Sequence, residues 1–359
     1  MKTKKQLPSS LFSLFVLMLL CVLGLFFVFE ASVAQSFSQF GHQYHFFYRQ
    51  LQWFGVGVVA FIFGFFIPLS WLKRLSKSAY IFGLIMLLLV FIPGIGLEIN
   101  GARRWFSIGG FSIQPVEFFK VSLVLFFANW LSVHQRVLPL LFSIAIPSLI
   151  LLFQPDFGSM LVIIFIAFGI YFVSGGSVKK LLPVGLVTIL LLIALIISSP
   201  YRFRRVQTFF NPESDPLGVS FQIRQITLAL GSGGWFGQGL GNSQQKNAFI
   251  PEASSDSIFA IIGEEVGFVG SVFLIGLFSI HIHLLFKVSL KLEEGSFEQL
   301  LMSGLWLWVG GQALLNLSAV VALVPLTGLT LPYFSYGGSS LVSLLFFNGV
   351  GYKLSKTNK

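Results

Sequence analysis

Residues 11–33 read LFSLFVLMLLCVLGLFFVFEASV, an apolar run with a single charge at Glu30. A helix rises roughly 1.5 Å per residue and a bilayer core is about 30 Å thick, so this run is long enough to cross a membrane. Further apolar runs follow at 51–69, 78–96, 115–131, 137–153, 157–174, 181–198, 257–286, 300–324 and 332–352. Lipid offers no hydrogen-bonding partner to a bare backbone, so only helices or closed barrels span it. The ten runs are therefore expected to be ten helices of an all-α polytopic membrane protein. The first run is too long, and too closely followed by others, to be simply a cleaved signal segment, and no small-residue cleavage site stands out. It is kept as a helix.

Composition agrees with that reading. The 359 residues are 55% hydrophobic and 10% charged, with a mean hydropathy of +0.86, whereas soluble domains carry about a quarter charged residues. The single cysteine, Cys21, lies inside the first apolar run, which excludes an intramolecular disulfide, a Cys-rich metal site and a redox motif. A net charge of +10 would suit nucleic acid, but the positive residues stand in short clusters between apolar runs, where they act as orientation signals. No nucleic-acid partner is expected.

Those clusters fix an expected topology. Lys2, Lys4, Lys5, Lys73, Arg74, Lys77, Arg136, Lys179, Lys180, Lys287, Lys291, Lys353, Lys356 and Lys359 fall at the termini or in alternate loops, which places both termini in the cytoplasm. The opposite loops hold Arg49, Arg103, Arg104, Arg202, Arg204, Arg205, Arg224 and Lys246. Positive charge on the disfavoured side invites a functional reading, because the planar fork of arginine matches phosphate. One long polar stretch, 199–256, faces outside and carries a short amphipathic pattern from Phe221 to Leu230 that suggests an interfacial helix. The chain reads as one domain over 1–359, with 199–256 as its large extracytoplasmic loop.

Four constellations could carry chemistry. Arg103-Arg104-Trp105 is followed by Gln114-Pro115-Val116-Glu117, with Lys120 three residues on, so Glu117 and Lys120 share a helix face inside a span. They line a polar cavity or form a structural ion pair between helices, and the two roles are compatible. Gln154-Pro155-Asp156 is an outer turn in which Asp156 suits the N-cap of the next helix. Gly241 to Lys246, with Asn242 among them, precedes Pro251-Glu252-Ala253-Ser254-Ser255-Asp256 and then Gly263-Glu264-Glu265. Asp256 stands where the chain enters the membrane and could serve as a general base or as an N-cap, a task that Ser254 or Ser255 could also perform. Thr327 to Ser340, including Ser339, is rich in Gly and Ser and permits close packing or a broken helix beside a cavity. Gly231 to Gly234 lacks a preceding strand and faces outside, so no nucleotide site is read there, and the five histidines show no ligand spacing.

Taken in order, Arg103-Arg104-Trp105, Gln114-Pro115-Val116-Glu117, Gln154-Pro155-Asp156, Asp215-Pro216, Pro251-Glu252 with Asp256, Gly263-Glu264-Glu265 and Ser335-Tyr336-Gly337-Gly338-Ser339 resemble the SEDS family of shape, elongation, division and sporulation proteins. The likeness covers nearly the whole chain. Gly241 to Lys246 followed by Pro251-Glu252-Ala253 resembles the FtsW branch, whereas RodA-like members usually carry a Gly-Thr-Gln-Ser-Gln stretch and Pro-Glu-Arg. The chain departs from the family pattern at Ser254, Ser257, Val116 and Phe119. Ser254 stands where relatives more often have His, so a His that holds the acceptor cannot be carried over.

The resemblance implies a peptidoglycan glycosyltransferase of the bacterial cytoplasmic (inner) membrane, polymerising lipid II on its outer face for cell division. The donor is the glycan on undecaprenyl pyrophosphate. Asp256 is the implied base, and Arg103, Arg104, Glu117, Lys120, Asn242, Lys246, Glu252 and Ser339 are implied substrate-binding residues. Cationic side chains, or a divalent cation such as Mg or Mn, would neutralise the leaving pyrophosphate; no cofactor is otherwise implied. A class B penicillin-binding protein and other division proteins are the implied partners. The competing readings are a RodA-like elongation polymerase, a lipid II flippase or small-solute transporter, and a noncatalytic division scaffold.

Overall fold

The computed structural model describes residues 9–99, 101–210, 219–246 and 253–357. Glu252, Pro251, Asp215, Pro216, Lys2, Lys4, Lys5 and Lys359 lie outside the described residues. Each of the ten apolar runs holds a helix: α1 Ser9–Phe40, α2 His45–Phe66, α3 Leu69–Leu89, α4 Pro115–Leu131, α5 Val137–Phe153, α6 Phe157–Val173, α7 Val178–Ile197, α10 Ile258–Ser289, α11 Phe297–Val320 and α12 Gly338–Thr357. Five of them, α1, α2, α7, α10 and α11, are long and apolar enough by length and composition to cross a membrane, and α5 and α6 are shorter apolar helices.

The structure differs from the sequence reading in three places. The run at 78–96 stops being helical at Leu89, and the chain then forms a small antiparallel sheet of β1 Gly96–Ile99, β2 Ala102–Ile108 and β3 Phe111–Ile113. Alternation in ARRWFSI, with Ala102 and Phe106 buried, supplies the strand period that a hydropathy window averages away. The long polar stretch is not a bare loop, because it contains α8 Pro200–Phe210 and α9 Val219–Ser232. The pattern from Phe221 to Leu230 does form a helix, and α9 turns Ile226 and Ala229 inward while packing on α10. The last run begins as irregular chain and becomes helical only at Gly338.

Packing centres on α4, α6, α11 and α12, whose Phe119, Phe127, Tyr171, Trp308 and Phe347 are fully buried. With lipid on one side and protein on the other, helices gain from close approach, and small residues allow it. A Cβ on Gly64 of α2 would stand 2.2 Å from the carbonyl oxygen of Phe346, and one on Gly349 of α12 would stand 2.1 Å from that of Phe61. The outward faces keep large apolar side chains exposed, among them Phe63, Phe66, Phe142, Leu182, Leu186 and Phe273. Such surfaces suit contact with hydrocarbon.

Helix α10 is broken near its start. Gly267 has φ 69 and ψ −168 inside the helix, and the loop after α9 fills the bend. There Gln238 N–H donates to the Glu264 carbonyl at 2.9 Å, and Gly239 N–H donates to that of Glu265 at 3.1 Å. In return, Phe268 N–H donates to the Gly234 carbonyl at 2.9 Å. The break thereby satisfies the backbone groups that the kink frees.

Candidate active site

Asp256 lies half-buried in the turn that leads into α10. The N-cap position falls on Ser257, whose side chain makes no capping hydrogen bond; its hydroxyl donates instead to Asp256 Oδ1 at 3.3 Å. Three other elements grip this turn. Gln222 of α9 donates to Ser257 Oγ at 3.3 Å, and Tyr336 N–H donates to the Ser254 carbonyl at 2.8 Å. From α11, Asn316 Nδ2 donates to the Asp256 carbonyl at 2.8 Å and to the Leu329 carbonyl at 2.6 Å.

The stretch 321–337 borders this turn. Ser335 Oγ accepts from Leu331 N–H at 2.7 Å. Gln50 of α2 donates through Nε2 to the Ser335 carbonyl at 3.3 Å and accepts from Gly337 N–H, also at 3.3 Å. Ser339 follows at the start of α12, its Oγ accepting from Gln114 N–H at 2.9 Å just before α4. That bond ties α4 to α12.

One turn into α4, the expected Glu117–Lys120 pair is present. Lys120 Nζ donates to Glu117 Oε1 at 2.7 Å, with the two side chains 0% and 5% exposed. It also donates to Gln312 Oε1 at 2.7 Å and lies 4.9 Å from the ring centroid of Trp308. Trp308 Nε1 donates to the same Gln312 oxygen at 2.8 Å, and Gln312 Nε2 donates to the Thr330 carbonyl at 2.9 Å. Gln312 and Asn316 are one turn apart on α11, so a single helix face holds both the ion pair and the Asp256 turn. Glu117 Oε2 has no hydrogen-bond partner among the described residues.

The remaining expected residues sit further out. Arg103, half exposed, pairs with Glu98 at 3.2 Å across the β1–β2 ladder. Arg104 Nε donates to the Gln154 carbonyl at 2.9 Å and its Nη2 to that of Pro155, so this guanidinium fastens β2 to the α5–α6 turn. Asp156 caps α6 as expected, accepting from Ser159 N–H at 3.1 Å. Lys246 is 7% exposed between Glu265 at 2.8 Å and Glu30 of α1 at 3.2 Å. Neighbouring Glu264 accepts from Ser243 Oγ and from Gln244 N–H at 3.0 Å. Asn242 is exposed, donating to the Gln238 carbonyl at 3.1 Å.

Sequence reasoning overlooked Gln50, Gln312 and Asn316. A signal existed, because Gln312 and Asn316 are carboxamides at helical spacing in an otherwise apolar span, where polar groups usually find a specific partner. Among the described residues no group of three or more His, Cys, Asp or Glu side chains is assembled to hold a metal ion.

The chain is similar to known proteins over nearly its whole length. Stage V sporulation protein E of Bacillus subtilis is 36% identical over 369 residues, covering 100% of both chains. A protein named probable peptidoglycan glycosyltransferase FtsW from Nitrosomonas europaea is 38% identical, over 90% of this chain and 87% of that one. Among solved structures, a chain from a peptidoglycan synthase complex, described as coordinating polymerization and crosslinking, superposes with a TM-score of 0.80 at 32% identity, covering 96% of this chain and 97% of that one. The rod shape determining protein RodA of Thermus thermophilus superposes at 0.70 with 29% identity, over 96% of each chain. The family described as cell cycle protein, which takes in FtsW, RodA and SpoVE, matches residues 10–359. With that match spanning nearly every residue, the chain belongs to the FtsW/RodA/SpoVE family of multi-pass membrane proteins.

Proposed function

We propose that this protein is a peptidoglycan glycosyltransferase that polymerises lipid II on the outer face of the bacterial cytoplasmic membrane, in the service of cell division. The observation that carries the reading is the turn bearing Asp256, a half-buried carboxylate at the start of α10 that α9, α11 and the 321–337 stretch hold from three sides. A base must keep its place through the reaction, and a turn fixed by separate elements does that.

In this mechanism the Asp256 carboxylate takes the proton from the sugar hydroxyl of the lipid II acceptor. The oxygen's electron pair forms the new bond to the donor's anomeric carbon as the bond to undecaprenyl pyrophosphate breaks on the opposite face, with inversion. The proton stays on Asp256 and the pyrophosphate leaves as an anion. Arg103 and Asn242, whose side chains are exposed, are the expected residues best placed for direct contact with substrate. Arg104, Glu117, Lys120, Lys246 and Ser339 are engaged by protein groups and shape the walls. Ten crossings put both termini in the cytoplasm and the 199–256 region outside, beside a class B penicillin-binding protein that crosslinks the product.

The test is lipid II polymerisation by the purified protein with its transpeptidase partner, read as glycan chains on a gel, beside a vesicle assay of lipid II movement. Glycan synthesis is the expected result. Lipid movement without synthesis would replace the polymerase with a flippase.

A further inference from the structure

We propose that Asn316 is a positioning residue, which holds the catalytic turn by the backbone of Asp256 itself; this rests on the reading of Asp256 as the base. A carboxamide nitrogen has two protons, and Asn316 directs both at carbonyls from different segments, Asp256 at 2.8 Å and Leu329 at 2.6 Å. It joins the α10 entry to the 321–337 stretch at a residue that is 2% exposed. The amide has one workable orientation, because a flip would set its oxygen against both carbonyl oxygens. As it stands, Oδ1 is buried with no hydrogen-bond partner among the described residues, so the donor side alone defines the residue's task.

Asn316 is itself fixed. One turn earlier on α11, Gln312 is gripped by Lys120, Trp308 and Thr330, so α11 cannot rotate or slide without breaking that set. Tyr336 and Gln222 reach the carbonyl of Ser254 and the hydroxyl of Ser257 on either side of the base, and Asn316 acts on the peptide between them. Loss of its donors would let the turn shift, while Gln50, Gln312 and the Gln114–Ser339 bond still hold the 321–337 stretch and the start of α12. Displacements of an ångström at a reacting group cost on the order of a hundredfold in rate. The expected signature is therefore in kcat.

The experiment compares the full-length wild type with Asn316→Ala, Asn316→Ser and Asp256→Asn, each purified with the same transpeptidase and given lipid II over a range of concentrations. Asn316→Ala should lower kcat by about ten- to hundredfold with KM changed by less than about threefold. Asn316→Ser, which keeps one donor, should fall between it and wild type. Should the alanine protein not purify as a single species, the serine variant carries the test alone. A wild-type kcat in Asn316→Ala beside an inactive Asp256→Asn would overturn the positioning role alone. Equal loss in both Asn316 variants with KM raised in step would overturn it in favour of general damage to the fold. A fully active Asp256→Asn protein would remove the base, and the positioning role with it.

Discussion

A lysine with no exposed surface persists as a charge only through what meets its ammonium group. For Lys120 these are Glu117 and Gln312, each at 2.7 Å, and the face of Trp308. Removing one partner of a buried pair strands the other and costs about 3–5 kcal/mol, more than the pair itself contributes over an apolar substitute. Glu117→Ala and Lys120→Ala should each lower the unfolding temperature in detergent and reduce polymerisation, and exchanging the two residues should restore part of both. Single variants with wild-type stability and rate would reduce the pair to filler. The pairing was legible because three-residue spacing on a helix is local geometry. The Asp156 cap was legible for the same reason. Asn316 was not, because its partners lie 60 and 13 residues away, and no local rule brings them together. Lys246 was expected to bind substrate, as the family resemblance implies; its carboxylate partner on α1 is 216 residues away and came only with the fold.

At the level of elements, α10 depends on its break. Gly267 adopts φ 69 and ψ −168, a conformation essentially confined to glycine, and strain of this kind costs other residues about 1–3 kcal/mol. Space forbids a side chain as well, since a Cβ there would stand 2.3 Å from the nitrogen of Gly237. Gly267→Ala should therefore destabilise the protein and loosen the 233–246 segment, read by thermal unfolding and by hydrogen exchange across those residues. Gly276→Ala on the same helix, where a Cβ meets open space, should be tolerated. Equal tolerance at both positions would contradict the account of the kink. The ten helical stretches were legible because each is a sustained apolar run. The β1–β3 sheet was not, because its strands are four, seven and three residues long and border an apolar run whose end they obscure. The kink escaped notice too, since a glycine inside an apolar stretch looks the same whether the helix bends or continues.

Across the whole molecule, the central question is which side the site faces and whether Asp256 does the chemistry there. The basic residues set the expected orientation. A cysteine probe replacing Gln244, in a chain whose native Cys21 is first changed to serine, should react with an impermeant maleimide in intact spheroplasts. Reaction only after permeabilisation would turn the topology over and place the site beyond the reach of an external substrate. Chemistry is tested by a substitution that keeps shape. A general base contributes on the order of 10² to 10⁴ in rate, whereas asparagine serves a helix N-terminus about as well as aspartate. The decisive measurement is thus lipid II polymerisation by wild type and Asp256→Asn, each copurified with the same transpeptidase and matched for monodispersity. The account predicts near-abolition of glycan chains in the variant; near-normal chains would contradict it.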